Sequence, residues 1–206
     1  MNRHGFQNVV VGYLMFGFLL LLGFPSEVWS GVSSDCDFES GDLSGWTFFE
    51  TTNGTLGGEG FPGCTDFDIN DDGLFAKSAE FKVGQHDYKG KGVRLAGGGI
   101  VTHHHTAGGT IIFSADIAAA YSSPKDRRNL SGGVFELLVD GEMVASHDFG
   151  PIPNNTIQRY MLEGLASVTP GMHEFRIRIR RPFRSRPHDQ APRQYIDNIR
   201  LSYAPS

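Results

Sequence analysis

Three arginines alternate with three apolar residues in Phe175-Arg176-Ile177-Arg178-Ile179-Arg180. Successive side chains of a strand point to opposite faces, so the arginines share one face and Phe175, Ile177 and Ile179 turn toward a core. A guanidinium donates paired hydrogen bonds to carboxylate, sulfate or phosphate. The row therefore predicts an anion-binding face, extended by Arg184 and Arg186 in the segment that follows. The alternative is a solvated face paired with acids on a neighbouring strand. The row is conspicuous because the whole chain is acidic, with 23 Asp and Glu against 18 Lys and Arg.

A second chemistry is written in Asp68-Ile-Asn70-Asp-Asp72-Gly73. This is the first half of an oxygen-rich calcium loop, D-x-N-x-D-G, in which alternate residues of a tight turn supply oxygens and glycine permits the bend. The second half is missing, since the position that should hold the closing glutamate is Ala79 and Glu80 comes one residue late. The segment is either a calcium site or a solvated acidic turn. In His103-His104-His105 a strand would place His103 and His105 on one face, but a transition metal needs a third ligand that the sequence does not identify. Histidines exposed near a loop are the default. The chain has no G-x-S-x-G elbow, no H-E-x-x-H and no phosphate-binding glycine loop. Paired carboxylates for glycoside cleavage are not readable from spacing in a β fold.

The elements that must position these residues are strands. Helix signals are almost absent, and 27 glycines punctuate short β-like runs. Regularly spaced short runs predict a two-sheet antiparallel β-sandwich or barrel. Strands are expected at 36–39, 46–49, 76–83, 92–95, 110–118, 157–162, 174–180 and 194–202, with a hairpin over 133–147 turning at Asp140-Gly141. That makes about ten strands. Gly97-Gly98-Gly99 reads as a turn, and 51–72 and 181–193 read as long loops.

Residues 1–30 read as a removable export signal, with Arg3 and His4 before an apolar stretch at 9–24, then Pro25 and the small-x-small end Val28-Trp29-Ser30. The apolar core is short for a bilayer span, so an uncleaved anchor is the lesser alternative. Residues 31–206 then form one domain, expected outside the cell or in the periplasm, with no membrane span after cleavage. A net charge of −5 gives no argument for nucleic acid. The two cysteines of an exported chain, Cys36 and Cys64, are expected to form a disulfide. Asn53, Asn129 and Asn154 begin glycan acceptor patterns.

The opening Cys36-Asp-Phe-Glu-Ser-Gly-Asp-Leu-Ser-Gly-Trp46 resembles the first strand of galactose-binding-like jelly-roll carbohydrate-binding modules, and also the start of MAM adhesion domains. The MAM likeness is the poorer, because Ser44 stands near the place of that family's second early cysteine. Tyr195-Ile-Asp-Asn-Ile-Arg-Leu-Ser202 resembles the last strand of the same modules. Gly133-Val-Phe-Glu-Leu-Leu-Val-Asp-Gly141 is similar to a hairpin in accessory β-sandwiches of secreted fructan-cleaving enzymes. The resemblance implies a jelly roll holding a structural calcium where first and last strands meet, at the matching positions Glu39 and Asp197. It also implies a secreted, non-catalytic module that binds an extracellular polysaccharide, an acidic glycan if the arginine row takes part. A structural or adhesion protein without small ligand is the alternative, and a glycan-active hydrolase the third.

Overall fold

The computed structural model describes residues 38–87, 95–121, 130–185 and 191–204. The expected export signal, Cys36, Asn129, Arg186 and most of the expected strand at 92–95 lie outside them. The described residues contain ten strands: β1 (Thr47–Glu50), β2 (Gly54–Thr55), β3 (Gly63–Phe67), β4 (Ala76–Phe81), β5 (Gly84–Gln85), β6 (Ala96–Tyr121), β7 (Val134–Val139), β8 (Glu142–Asp148), β9 (Thr156–Arg181) and β10 (Arg193–Tyr203). They make the antiparallel all-β jelly-roll sandwich expected from the sequence. Eight strands form one hydrogen-bonded sheet folded over into two layers, and β2 pairs with β5 as a separate ribbon.

The fold-over is made by β6 and β9. Each has 26 residues, far beyond the length at which a twisted strand stays in one layer. They pair from Ala96↔Arg181 to Tyr121↔Thr156 without a net slip. Buried side chains change parity along the way. In β6 the residue that enters the core between the layers is Ile100 in the first half but Ile111, Phe113, Ala115 and Ile117 in the second. In β9 the switch runs from Leu162 and Ala166 to Phe175, Ile177 and Ile179. With register unchanged, both strands must step irregularly at the same level. They do so at Gly108 (φ 86°), Gly109 (φ 117°) and Gly171 (φ 144°), conformations open to glycine at no steric cost. A Cβ on Gly108 would also approach Pro170 Cδ to 2.8 Å.

One half of the ribbon thus joins a layer ordered β3-β4-β10-β6-β9, and the other a layer ordered β1-β6-β9-β7-β8. Such strand-switching corners are a standard way to close a sandwich. The core lies between the layers, where Phe81, Ile196 and Leu201 of one meet Phe135, Leu137 and Ile177 of the other. Phe113 and Phe175, from opposite halves of the ribbon, meet edge to face at 5.5 Å.

Several expected boundaries are corrected. The two runs 157–162 and 174–180 are one strand, because long-range pairing overrides Pro170 and Gly171 as breakers. The 110–118 strand extends back through the histidines to Ala96, so they lie within a strand, not beside a loop. Gly97, Gly98 and Gly99 are strand interior, not a turn. A side chain on Gly98 would overlap the Phe49 carbonyl, and one on Gly99 the Ile177 carbonyl, so the backbones close only around glycine. The 51–72 loop contains β2 and β3. Glu39 lies in a turn, not a first strand; Gly41 N donates to Phe38 O at 2.8 Å and buries Phe38. The hairpin at Asp140-Gly141 forms as expected, with φ 50° and 83°.

The corner is tied to that hairpin by His173, which is buried. Its Nδ1 lies 2.6 Å from Asp140 Oδ2 and its Nε2 2.8 Å from the Thr169 carbonyl. An acceptor at each ring nitrogen favours the doubly protonated ring. Asp140 Oδ1 also accepts from Glu174 N at 2.9 Å, and His103 and Glu174 are the other titratable side chains nearby. The hydrogen bond to Asp140, then that to Thr169, raises the His173 pKa above its ordinary 6.5. The same bond lowers Asp140 below 3.8. The histidine's stabilisation is complete below its unfolded value and lost as pH rises through the raised folded value; the aspartate's is present above 3.8 and lost as pH falls through its lowered one. The Tm measured across neutral pH should fall with rising pH in the wild type and show less dependence in His173→Gln.

Candidate functional site

The arginine row lies where its alternation places it, on the outer face of the β1-containing layer. Register sets Arg176, Arg178 and Arg180 opposite Leu138, Glu136 and Val134 of β7. Glu136, only 2% exposed, takes Arg178 Nε at 2.5 Å and also binds the Arg180 guanidinium. Arg176 pairs with Glu174 at 2.8 Å and lies over the Phe49 ring at 4.4 Å. Its Nε is buried and makes no hydrogen bond among the described residues. Three guanidinium groups therefore face two carboxylates, Glu136 on the neighbouring β7 and Glu174 on β9 itself. Arg184 sits beside β5, where its guanidinium meets Asp87 at 4.0 Å.

The acidic turn follows β3 and folds over the outer face of the other layer. Asp68 accepts from the backbone of Asp72 and Gly73 at 3.1 and 3.0 Å, and Asp72 from Leu74 N at 2.8 Å. These bonds cap the turn internally. Phe67 stacks on Tyr195 at 3.8 Å, and with Ile69 and Ala118 forms a small cluster on this face. Arg159 of β9 holds the turn down. Its Nε and Nη2 donate to the Asp68 carbonyl at 3.0 and 2.9 Å, and its Nη1 meets Asp71 at 3.2 Å.

An open cavity of about 470 Å³ lies between the turn and β9. Asn70, Asp71, Asp116 and Arg159 give it four planar polar side chains, and Ile69, Ile157 and Met161 give it apolar walls, with Tyr160 beside them. Asp116 is placed by its register opposite Met161, and its Oδ2 accepts from Asn198 Nδ2 at 2.8 Å. Of the residues expected to act, only the acidic turn contributes here. Arg159, Asp116 and Met161 were not foreseen, because they converge only through strand register.

Glu39 and Asp197 lie in one electrostatic neighbourhood. Asp197 is 1% exposed and accepts from Ser78 Oγ at 2.9 Å and Asn198 N at 2.8 Å. Burial raises its pKa, the two hydrogen bonds oppose that, and Glu39 and Asp116 push it further up. Glu39 Oε1 accepts from Lys77 N at 2.9 Å. No three His, Cys, Asp or Glu converge as a metal site among the described residues. His103 and His105 share an exposed face while His104 packs edge-on to Phe175, and burial lowers the His104 pKa. Cys64 Sγ lies 3.6 Å from the carbonyl of Phe38, two residues from Cys36.

No family model matches the chain, and no curated protein matches it. Among solved structures it is similar to the enzymatically active domain of tailspike protein 4 of bacteriophage CBA120, at 15% identity over 83% of this chain and TM-score 0.47; it spans 21% of that chain's length. It is also similar to the Stig cyclase Fisc of Fischerella sp. TAU, at 16% identity over 86% of this chain and 100% of that one, TM-score 0.47. The CBM22-2 xylan-binding domain of Paenibacillus barcinonensis Xyn10C is similar at 12% identity over 82% and 97%, TM-score 0.42. At these scores the likeness assigns no activity, ligand or partner to this chain.

Glu136 is the hinge of the arginine face. Glu136→Gln removes the charge that holds Arg178 and Arg180 together and should lower stability by about 2 kcal/mol, on the scale of lost charged hydrogen bonds. Denaturant unfolding measures it, and added sulfate should restore part of the loss.

Proposed function

We propose that this chain is an exported, non-catalytic carbohydrate-binding module whose ligand lies in the cavity between the acidic turn and β9. The observation that carries the reading is the lining itself. Asn70, Asp71, Asp116 and Arg159 surround an open space next to Ile69, Ile157 and Met161. Sugar hydroxyls donate and accept together, which suits paired carboxylate, amide and guanidinium groups. The C–H faces of a pyranose suit the apolar wall. Arg159 is already fixed by the Asp68 carbonyl and Asp71, so little ordering is left for binding to impose.

Charge points to a neutral sugar. The cavity holds two carboxylates and one guanidinium, and the arginines that would favour an acidic glycan have carboxylate partners elsewhere. Calorimetric titration with neutral and acidic polysaccharides decides between them. A neutral glycan should bind, and Asp116→Ala should weaken it at least tenfold while Arg178→Ala leaves it unchanged. Loss of binding in Arg178→Ala, with alginate or pectin as the better ligand, would move the site to the arginine face. Release of new reducing ends from the bound polymer would overturn the non-catalytic reading.

A structural calcium is part of the same proposal, at Glu39 and Asp197 with backbone carbonyls and water completing the shell. Its support is the cost of Asp197, a buried carboxylate with Glu39 and Asp116 raising its pKa further. Calcium at a hundredfold excess over Kd would stabilise the fold by about 2.7 kcal/mol. The Tm should rise with calcium over chelator at neutral pH, and Asp197→Asn should abolish that response without lowering the Tm in chelator. The Cys36–Cys64 disulfide belongs to the exported form; mass spectrometry of the unreduced protein should show no free thiol.

A further inference from the structure

Residues 156–168 of β9 pair with β6 along one side only. No strand pairs with the other side among the described residues, where β7 joins β9 only from Phe175 onward. A long unpaired edge is a template for another strand, and proteins usually blunt it with Lys, Pro or a bulge. This edge has none of these, and its charged residues are Arg159 and Glu163. Its outward row reads Ile157, Arg159, Met161, Glu163, Leu165, with Ile157, Met161 and Leu165 at 43%, 60% and 62% exposed.

We propose that this edge pairs with the same edge of a second copy of the chain, antiparallel, about a two-fold axis through Met161. The row is symmetric in polarity and antisymmetric in charge about that residue, as a self-complementary interface requires. Directly opposed residues of an antiparallel pair share a face, and a slip of one residue would set outward side chains against inward ones. That leaves registers that oppose outward residues to outward residues. Centring on Met161 sets Arg159 against Glu163 and Ile157 against Leu165, on both sides of the axis. Centring on Tyr160 sets Ile157 against Glu163, and centring on Leu162 sets Arg159 against Leu165; both strand a charge against an apolar side chain. Arg159 keeps its hold on Asp68 and Asp71 while Glu163 of the partner approaches its other side. The inward side of the strand is already filled, since Tyr160 stacks on His147 at 3.8 Å and a Cβ on Gly164 would meet Val144 at 2.8 Å. Only the lateral edge is left to pair. The dimer would carry two sugar cavities on one continuous outer face, a consequence that rests on the carbohydrate reading, whereas the pairing does not.

Sedimentation equilibrium of the purified protein over a concentration series should show a monomer–dimer equilibrium. Met161→Lys puts two like charges on the axis and should give a monomer whose Tm matches that of the wild type at dilutions where the wild type is monomeric, since the side chain is 60% exposed. For register, Met161→Cys brings two thiols onto opposed positions with Cα atoms about 5 Å apart, within disulfide reach. Mild oxidation should cross-link it well above the wild-type baseline set by the native cysteines. Leu165→Cys leaves its thiols about 27 Å apart, eight strand steps, and should stay at that baseline. A wild type that is monomeric at every concentration, a Met161→Lys protein that dimerises like the wild type, or equal cross-linking of both cysteine variants would overturn the pairing. Met161 also lines the cavity, so glycan titration of the wild type, at concentrations where it is monomeric, reports separately on the cavity.

Discussion

The rest of the molecule depends on the closure of β6 on β9 over 26 residues and their joint fold at Gly108, Gly109 and Gly171. Because one ribbon supplies the centre of both layers, neither layer exists without the other. Phe113 and Phe175 become neighbours only once the ribbon has bent, so the core and the corner are the same event. The parity switch at the corner has a functional side. It makes odd positions of β9 face outward in one layer and even positions in the other. One strand therefore presents Arg159 and Met161 on one outer face and Arg176, Arg178 and Arg180 on the opposite one.

Each arginine of the row has a carboxylate contact. Glu136, itself buried, joins two half-exposed arginines, so that loss of either guanidinium leaves the carboxylate paired with the other. Arg181, next in sequence to Arg180, is fully buried. It donates to the carbonyls of Ser131 at 2.6 Å and Val83 at 2.8 Å, tying the end of β9 to two other segments. Asp197 is the contrary case, since burial, Glu39 and Asp116 all disfavour its charge. Its donors, Ser78 Oγ and Asn198 N, offset part of that cost, whereas Asp68 and Asp72 of the acidic turn spend their oxygens on the turn's own backbone.

Local rules carried the β class, the Asp140-Gly141 hairpin and the shared face of the arginines, because each depends on period or turn chemistry within a few residues. They failed where pairing overrides punctuation. Pro170-Gly171 and Gly97-Gly98-Gly99 carry the composition of turns, yet both sit inside paired strands, one at the corner and one where backbones approach too closely for a side chain. Arg181 reads like its neighbours and differs only in parity. The cavity was legible in one part of three. Its acidic turn has a motif, but Asp116 and the Arg159–Met161 stretch reach it through a register that no spacing in the sequence encodes.

Arg159 joins these strands of argument. A guanidinium that spends two N–H groups on one carbonyl and a third on Asp71, with Phe67 at 5.9 Å, cannot easily follow a moving ligand. It fixes the acidic turn over the sheet and so fixes the cavity's mouth. The turn's own carboxylate–backbone bonds make it rigid, and Arg159 makes it stationary. Rigidity of this kind favours a ligand with many weak, oriented hydrogen bonds, because affinity is then limited by ordering costs more than by any single contact. The sugar proposed for this cavity is a ligand of that kind, with a donor and an acceptor at each hydroxyl.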